Sequence, residues 1–65
     1  MKLAVYFYFK NTSVLKEMIE IEKEELETHR TLFNEVLKTE KSVIEIGNLF
    51  VKGNELIAIR IEEIN

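Results

Sequence analysis

Apolar and polar side chains alternate along residues 2–10. One set of alternating positions is wholly apolar and consists of Leu3, Val5, Phe7 and Phe9. The other set is amphipathic, because it combines lysines with Ala4, Tyr6 and Tyr8. A period of two in a segment rich in aromatic residues is typical of a β-strand. We therefore predict a strand over residues 2–10 that is largely covered on its apolar side.

The next segment shows a helical spacing of apolar residues. Asn11, Thr12 and Ser13 are all good helix N-cap residues, and we favour Thr12 or Asn11 as the cap. From there to about Glu40 the chain has no Gly or Pro, and apolar residues recur mostly at intervals of three, four and seven. We therefore predict one helix, either continuous with a wetter centre or kinked near Thr28.

Such a helix would be longer than the sheet beneath it. About 28 helical residues span roughly 42 Å, whereas a nine-residue strand spans only about 30 Å. The free end of the helix is therefore expected to bend or to pack on another molecule.

Residues 42–64 have the pattern of a β-hairpin. Gly53-Asn54 suits a two-residue turn, which would place Lys52 opposite Glu55 and Phe50 opposite Ile57. The same register would place Asn48 opposite Ile59 and Ile46 opposite Ile61. Gly47-Asn48 is a rival turn, and it would produce either a short strand over 49–52 or a bulge in the longer arm.

Together these elements predict a single α+β domain over residues 1–65. Its order is β-α-β-β, with one long helix packed on a three-stranded, largely antiparallel sheet in which residues 55–64 form the middle strand. The predicted core comprises Leu3, Val5, Phe7, Phe9, Leu15, Ile19, Leu26, Phe33, Val36 or Leu37, Ile44, Ile46, Phe50, Ile57, Ile59 and Ile61.

A single helix covers only one face of such a sheet, so the other face would expose an apolar patch. We expect that patch to bind a second copy of the chain, as a homodimer or larger oligomer, or another protein. The candidate interface residues are Tyr6, Tyr8, Val43, Leu49, Val51, Leu56, Ala58 and Ile64.

Composition narrows the classes of function. The chain has 65 residues and no Cys, which excludes disulfides and thiolate metal sites. Its net charge of −3 argues against a dedicated duplex-DNA binder. The apolar run near Met1 is too short for a signal peptide or a membrane span. We expect a cytoplasmic protein, and the frequent Glu, Ile, Lys and Asn suggest a bacterial or phage source.

Catalytic and metal-binding patterns are weak. His29 shares a predicted helix face with Glu25 and Glu22, but any His in so Glu-rich a helix has a Glu one turn away. The acidic run from Glu17 to Glu27 is typical of a solvated helix face supported by ion pairs such as Glu20–Lys23 and Glu27–Arg30. No Ser–His–acid pattern is present. We therefore expect no enzyme activity, cofactor, metal or small-molecule substrate.

An alternative hypothesis concerns single-stranded nucleic acid. Aromatic and basic side chains on a sheet face can stack bases and contact phosphates. The acidic helix opposes this role, so nucleic acid ranks below a protein partner. The residues that would carry it are Lys2, Tyr6, Tyr8, Lys10 and Arg60.

Overall fold

The computed structural model describes residues 1–39 and 43–64. These ranges contain five strands, one α-helix and two short 3-10 turns, which confirms the α+β class. The predicted end of the helix near Glu40 and the predicted start of the hairpin at residue 42 lie outside the described residues. The strands are β1 (Lys2–Phe9), β2 (Val14–Glu20), β3 (Val43–Ile46), β4 (Leu49–Lys52) and β5 (Leu56–Ile64); the helix is α1 (Leu26–Thr39), and the 3-10 turns are Lys23–Glu25 and Gly53–Glu55.

β1 is the middle strand of a three-stranded antiparallel sheet. The order is β2-β1-β5, with Leu3 opposite Ile19 on one side and Glu63 on the other. The predicted strand and the three-stranded antiparallel sheet are confirmed. The prediction that residues 55–64 form the middle strand is wrong. β1 takes the middle position because it is apolar on both faces. Its residues Ala4 and Val5 face opposite sides of the sheet, and both are fully buried.

Residues 14–20 form β2, so the prediction of one helix from Thr12 onwards is wrong. Val14, Leu15, Met18 and Ile19 satisfy a helical spacing, yet Val14 with Met18 and Leu15 with Ile19 also share strand faces. Pairing with β1 from Lys2 to Tyr8 satisfies the backbone hydrogen-bonding groups of this segment. This pairing favours a strand over a helix. The chain order is therefore β-β-α-β-β-β. The predicted β-α-β-β order differs because it omits β2 and treats β3 and β4 as one strand.

The polar cluster after β1 forms a hairpin loop instead of a helix cap. The N–H of Thr12 donates to the Phe9 carbonyl at 3.0 Å, and Phe9 N–H donates to the Ser13 carbonyl at 3.0 Å. Asn11 Oδ1 accepts hydrogen bonds from both the N–H and the hydroxyl of Ser13. Thr12 has a φ of 72°, as expected for the left-handed residue that closes a three-residue hairpin loop.

The helix begins much later than predicted. The backbone N–H of Glu22 donates to Glu25 Oε1 at 2.8 Å, so the Glu25 carboxylate caps the 3-10 turn that precedes α1. α1 then runs for 14 residues, or about 21 Å. A helix of this length matches the sheet, so the predicted overhang is absent and gives no support to self-association.

The second hairpin uses the rival turn. Ile46 pairs with Leu49 and Ile44 with Val51, so Gly47-Asn48 is the turn and β3–β4 is a separate two-stranded sheet. Gly47 has a φ of 58°, which fits the first position of a type II′ turn. Gly53-Asn54 instead lies in a 3-10 turn that leads into β5. The predicted pairs between residues 46–52 and 55–61 are therefore wrong.

The hydrophobic core lies between one face of the main sheet and a layer made of α1 and the β3–β4 hairpin. Phe7 and Phe33 meet edge to face, with ring centroids 6.3 Å apart. Of the predicted core, Phe50, Ile57 and Leu15 are exposed, because the hairpin register and the position of β2 differ from those predicted. The buried apolar residues are Leu3, Ala4, Val5, Phe7, Phe33, Val36, Ile44, Ile46, Val51 and Leu56.

Val51 and Phe50 provide a test of this packing, because neighbouring residues of β4 face opposite sides. Val51 is 4% exposed and Phe50 is 67% exposed. We expect Val51→Lys to cost at least about 3 kcal/mol, since it buries an unpaired charge, out of a total near 3–10 kcal/mol for a chain of this size. Phe50→Lys should cost less than about 0.5 kcal/mol when the chains are compared at concentrations too low for association. Urea unfolding monitored by circular dichroism measures both, and equal losses would contradict the register of β4.

Substitutions at the two residues with positive φ, Thr12 and Gly47, should change the free energy of unfolding in opposite directions. Thr12→Gly should raise the free energy of unfolding by about 1 kcal/mol, because it relieves the strain of a β-branched residue at positive φ. Gly47→Ala should lower it by a similar amount. If Thr12 capped a helix instead, Thr12→Gly would bring no gain. Thermal unfolding of both variants separates the hairpin loop from a helix cap.

Candidate interaction surfaces

The second face of the main sheet has Tyr6 at its centre. Tyr6 lies on β1 directly opposite Lys16 of β2 and Arg60 of β5. Arg60 Cζ is 4.2 Å from the centroid of the Tyr6 ring, and Lys16 Nζ is 5.6 Å from it. Both distances fit cation–π contacts. We call this surface, formed by Lys2, Ala4, Tyr6, Tyr8, Val14, Lys16, Met18, Glu20, Ala58, Arg60, Glu62 and Ile64, the open face.

The open face carries charges of both signs. Arg60 Nη1 lies 3.3 Å from Glu62 Oε2, with each side chain about half exposed. The Lys2 and Glu20 positions pair across β1 and β2. The long charged side chains therefore cross the aromatic row, which makes this face more polar than the apolar patch that the sequence predicted.

Most residues predicted to bind nucleic acid lie on one surface. The pairing of the strands places Lys2, Tyr6, Tyr8 and Arg60 together on the open face. Lys10 follows the end of β1, where its N–H donates to the Glu55 carbonyl at 2.9 Å. Sequence analysis missed Lys16, because it assigned that residue to a helix; strand alternation over residues 14–20 would have placed it beside Tyr6.

The predicted interface residues do not form one surface. Tyr6, Tyr8, Ala58 and Ile64 do share the open face. Val51 and Leu56 are buried in the core, at 4% and 5% exposure, so their assignment to an exposed patch is wrong. Val43 and Leu49 belong to the β3–β4 hairpin, which lies on the other side of the main sheet.

A cleft between the β3–β4 hairpin and the main sheet exposes apolar side chains that sequence analysis placed in the core. Phe50 of β4, Leu15 of β2 and Phe9 of β1 line this cleft, which has a volume of about 340 Å³. Its polar wall includes Asn11, Ser13, Lys52 and Glu55. We call it the Phe50 cleft.

More apolar side chains are exposed at the same end of the sheet. Val14 pairs with Tyr8, the last residue of β1 before a bulge, and Ile57 lies in the bulged part of β5 beside that position. Val14 is 54% exposed and Ile57 is 65% exposed. The end of the molecule that carries the Phe50 cleft therefore also exposes two further apolar side chains.

His29 is held by local contacts. Its Nδ1 lies 2.8 Å from the Glu25 carbonyl oxygen, and its ring meets Phe33 edge to face at 6.2 Å. The Glu25 carboxylate faces the Glu22 N–H instead. Within residues 1–39 and 43–64, no group of three His, Asp or Glu side chains is arranged to hold a metal ion. Glu27 and Arg30 do approach each other, at 3.8 Å.

Comparisons with known proteins add no identification. The chain matches no family model, no curated protein and no solved structure. None of the helices in the described ranges is long and apolar enough to cross a membrane.

Proposed function

We propose that the chain is a non-enzymatic protein-interaction module that assembles with copies of itself as a homodimer or larger oligomer. The observation that supports this proposal is the exposure of large apolar side chains on strands, above all Phe50 in its cleft. Aromatic side chains are enriched at protein interfaces and depleted on surfaces that stay in water.

The energetics favour covering this end of the molecule. Burying a Phe or Leu side chain in an interface contributes about 1.5–3 kcal/mol each relative to exposure. A domain this small has few internal contacts from which to gain stability, so association is a common additional source of stability. Exposed Phe50 and Leu15 in one cleft therefore give an association surface whose burial would stabilise the fold.

A second copy is the occupant that the chain itself supplies. The other exposed apolar groups of the same end, Val14 and Ile57, can enter a cleft lined by Phe9, Leu15 and Phe50 on a neighbouring copy. The net charge of −3 is small enough that repulsion between copies is screened at physiological salt.

Phe50→Lys tests the proposal without disturbing the core. The wild-type chain should sediment as an oligomer whose average mass increases with concentration in the micromolar range. Phe50→Lys should shift that curve to at least roughly tenfold higher concentration, since it removes one buried aromatic side chain. Analytical ultracentrifugation over a dilution series measures the change.

Thr28→Lys is the matched control, because it adds the same charge at an exposed position of α1 away from the Phe50 cleft. Its association curve should coincide with that of the wild type. A monomeric wild-type chain throughout the series would refute the proposal. Equal effects of the two lysines would show that charge, and not the apolar cleft, controls association.

A second candidate function is binding of single-stranded nucleic acid at the open face. It is favoured by one observation, the position of the Tyr6 ring between the cations of Lys16 and Arg60. Bases stack on such aromatic platforms while the cations contact phosphates. It ranks second because Arg60 already covers the ring and because Glu20 and Glu62 lie on the same face.

Intrinsic fluorescence tests this candidate directly. The chain has two Tyr and no Trp, so all of its tyrosine emission comes from the open face. Nucleic-acid binding predicts quenching by a short oligonucleotide at low salt, with affinity that falls steeply as salt increases. Tyr6→Leu should abolish the effect of the oligonucleotide on the remaining Tyr8 emission. Constant emission at low salt would exclude this candidate.

A further inference from the structure

The outer edge of β5 has no neighbouring strand among the described residues. β5 is the longest strand, with nine residues, and β1 pairs with one side of it only. A free edge offers its backbone N–H and C=O groups to another strand. Such an edge recruits a partner through main-chain hydrogen bonds, and the adjacent side chains determine which partner fits.

A groove runs beside this edge on the core side of the sheet. It lies between α1 and β5, has a volume of about 290 Å³, and is lined by Ile59 and Ile61 of the strand and Leu37 of the helix. All three side chains are half-buried. The helix side of the groove also carries Glu27, Arg30, Thr31 and Asn34, so the groove is apolar on the strand side and largely polar on the helix side. An added strand would therefore place alternate side chains over this groove, and its other side chains on the open face.

Two-fold symmetry leaves few ways for β5 to pair with its own copy. Paired residues of an antiparallel ladder point to the same face of the sheet, so one residue must lie opposite itself at the symmetry axis. An axis at Arg60 places two arginines opposite each other, and an axis at Glu62 places two glutamates opposite each other. Both arrangements are unfavourable.

An axis at Ile61 replaces both like-charge pairs with pairs of opposite charge. Arg60 of each copy then lies opposite Glu62 of the other, and Ala58 lies opposite Ile64. The isoleucines at position 61 meet at the axis, Ile59 lies opposite Glu63, and every residue from Ala58 to Ile64 has a partner. This register joins opposite charges on the open face and places an apolar pair at the axis on the groove side.

We propose that the edge of β5 pairs antiparallel with β5 of a second copy, with Ile61 at the two-fold axis, to form a continuous six-stranded sheet. This inference rests on the proposed self-association and adds a second contact surface to the Phe50 cleft. The Phe50 cleft lies at the β2 side of the molecule, so it stays available for further contacts between dimers.

The opposite edge of the sheet is less suited to pairing. β2 has seven residues, and Gly47 of the β3–β4 turn comes close enough to Glu17 that a side chain there would meet its Oε1 at 3.4 Å. The β3–β4 turn therefore comes close to β2 at Glu17. β2 provides the control edge for the experiments.

Exchanging charges within β5 tests the register. Arg60→Glu alone and Glu62→Arg alone should each raise the dimer dissociation constant roughly tenfold or more, because each creates like-charge pairs at the interface. When the two single variants are mixed, the glutamate introduced in one chain faces the arginine introduced in the other, so a heterodimer should form with near wild-type affinity. Native mass spectrometry of the mixture distinguishes the heterodimer by mass.

The mixed sample separates pairing between chains from the ion pair within one chain. Each single variant loses the Arg60–Glu62 contact inside its own chain, so an effect on the monomer alone would leave the mixture as weakly associated as either variant. That result would overturn the β5 register while leaving the self-association intact. A wild-type chain that stays monomeric would overturn both.

A disulfide test keeps the charges unchanged. The chain has no Cys, and residues opposite each other in an antiparallel pair have Cα atoms within the range that a disulfide spans. Ile61→Cys should therefore form a covalent dimer in a glutathione redox buffer, whereas Met18→Cys, at the centre of β2, should stay reduced. Crosslinking of Met18→Cys alone would place the interface on β2 and overturn the proposal.

Discussion

The burial of β1 between two strands and under α1 is the constraint on which the rest of this structure depends. Val5 and Phe7 are fully buried, and Phe7 meets Phe33 edge to face. A strand that is apolar on its core face and carries the fully buried Ala4 on its other face needs strands on both edges. β2 and β5 supply these, and their own outer edges are left without partners in the described residues.

The central position of β1 also explains which secondary-structure elements could be predicted from the sequence. β1 was predicted well because its alternation of large apolar residues fits no other element. Residues 14–20 were not, because Leu15 and Ile19 share a face in a strand as well as in a helix. The choice was made by hydrogen bonding to β1, a contact between segments that local spacing does not encode.

The two Gly-Asn dipeptides show that turns, too, depend on contacts between distant segments. Gly47-Asn48 and Gly53-Asn54 have the same local turn chemistry, and only the first closes a hairpin. The difference follows from the layers to which the strands belong: β5 pairs with β1 in the main sheet, whereas β4 pairs with β3 in the hairpin on the other side of the core. The candidate surfaces were predictable to the same degree. Tyr6, Tyr8 and Arg60 could be placed on one face, because that placement follows from the alternation of β1. The orientation of β4 depends on which turn closes the hairpin, so Phe50 was wrongly placed in the core and Val51 on the exposed face.

The core of this fold is well packed, whereas the outer edges of its sheet and the Phe50 cleft are open to a partner. Hydrogen–deuterium exchange of the wild-type chain at low and high concentration would show whether a second copy covers the β5 edge. We expect β1 amides to exchange slowest at both concentrations, and β5 amides to exchange markedly more slowly as the concentration increases, while those of α1 change little. An exchange profile of β5 that is the same at every concentration would show that the β5 edge stays free.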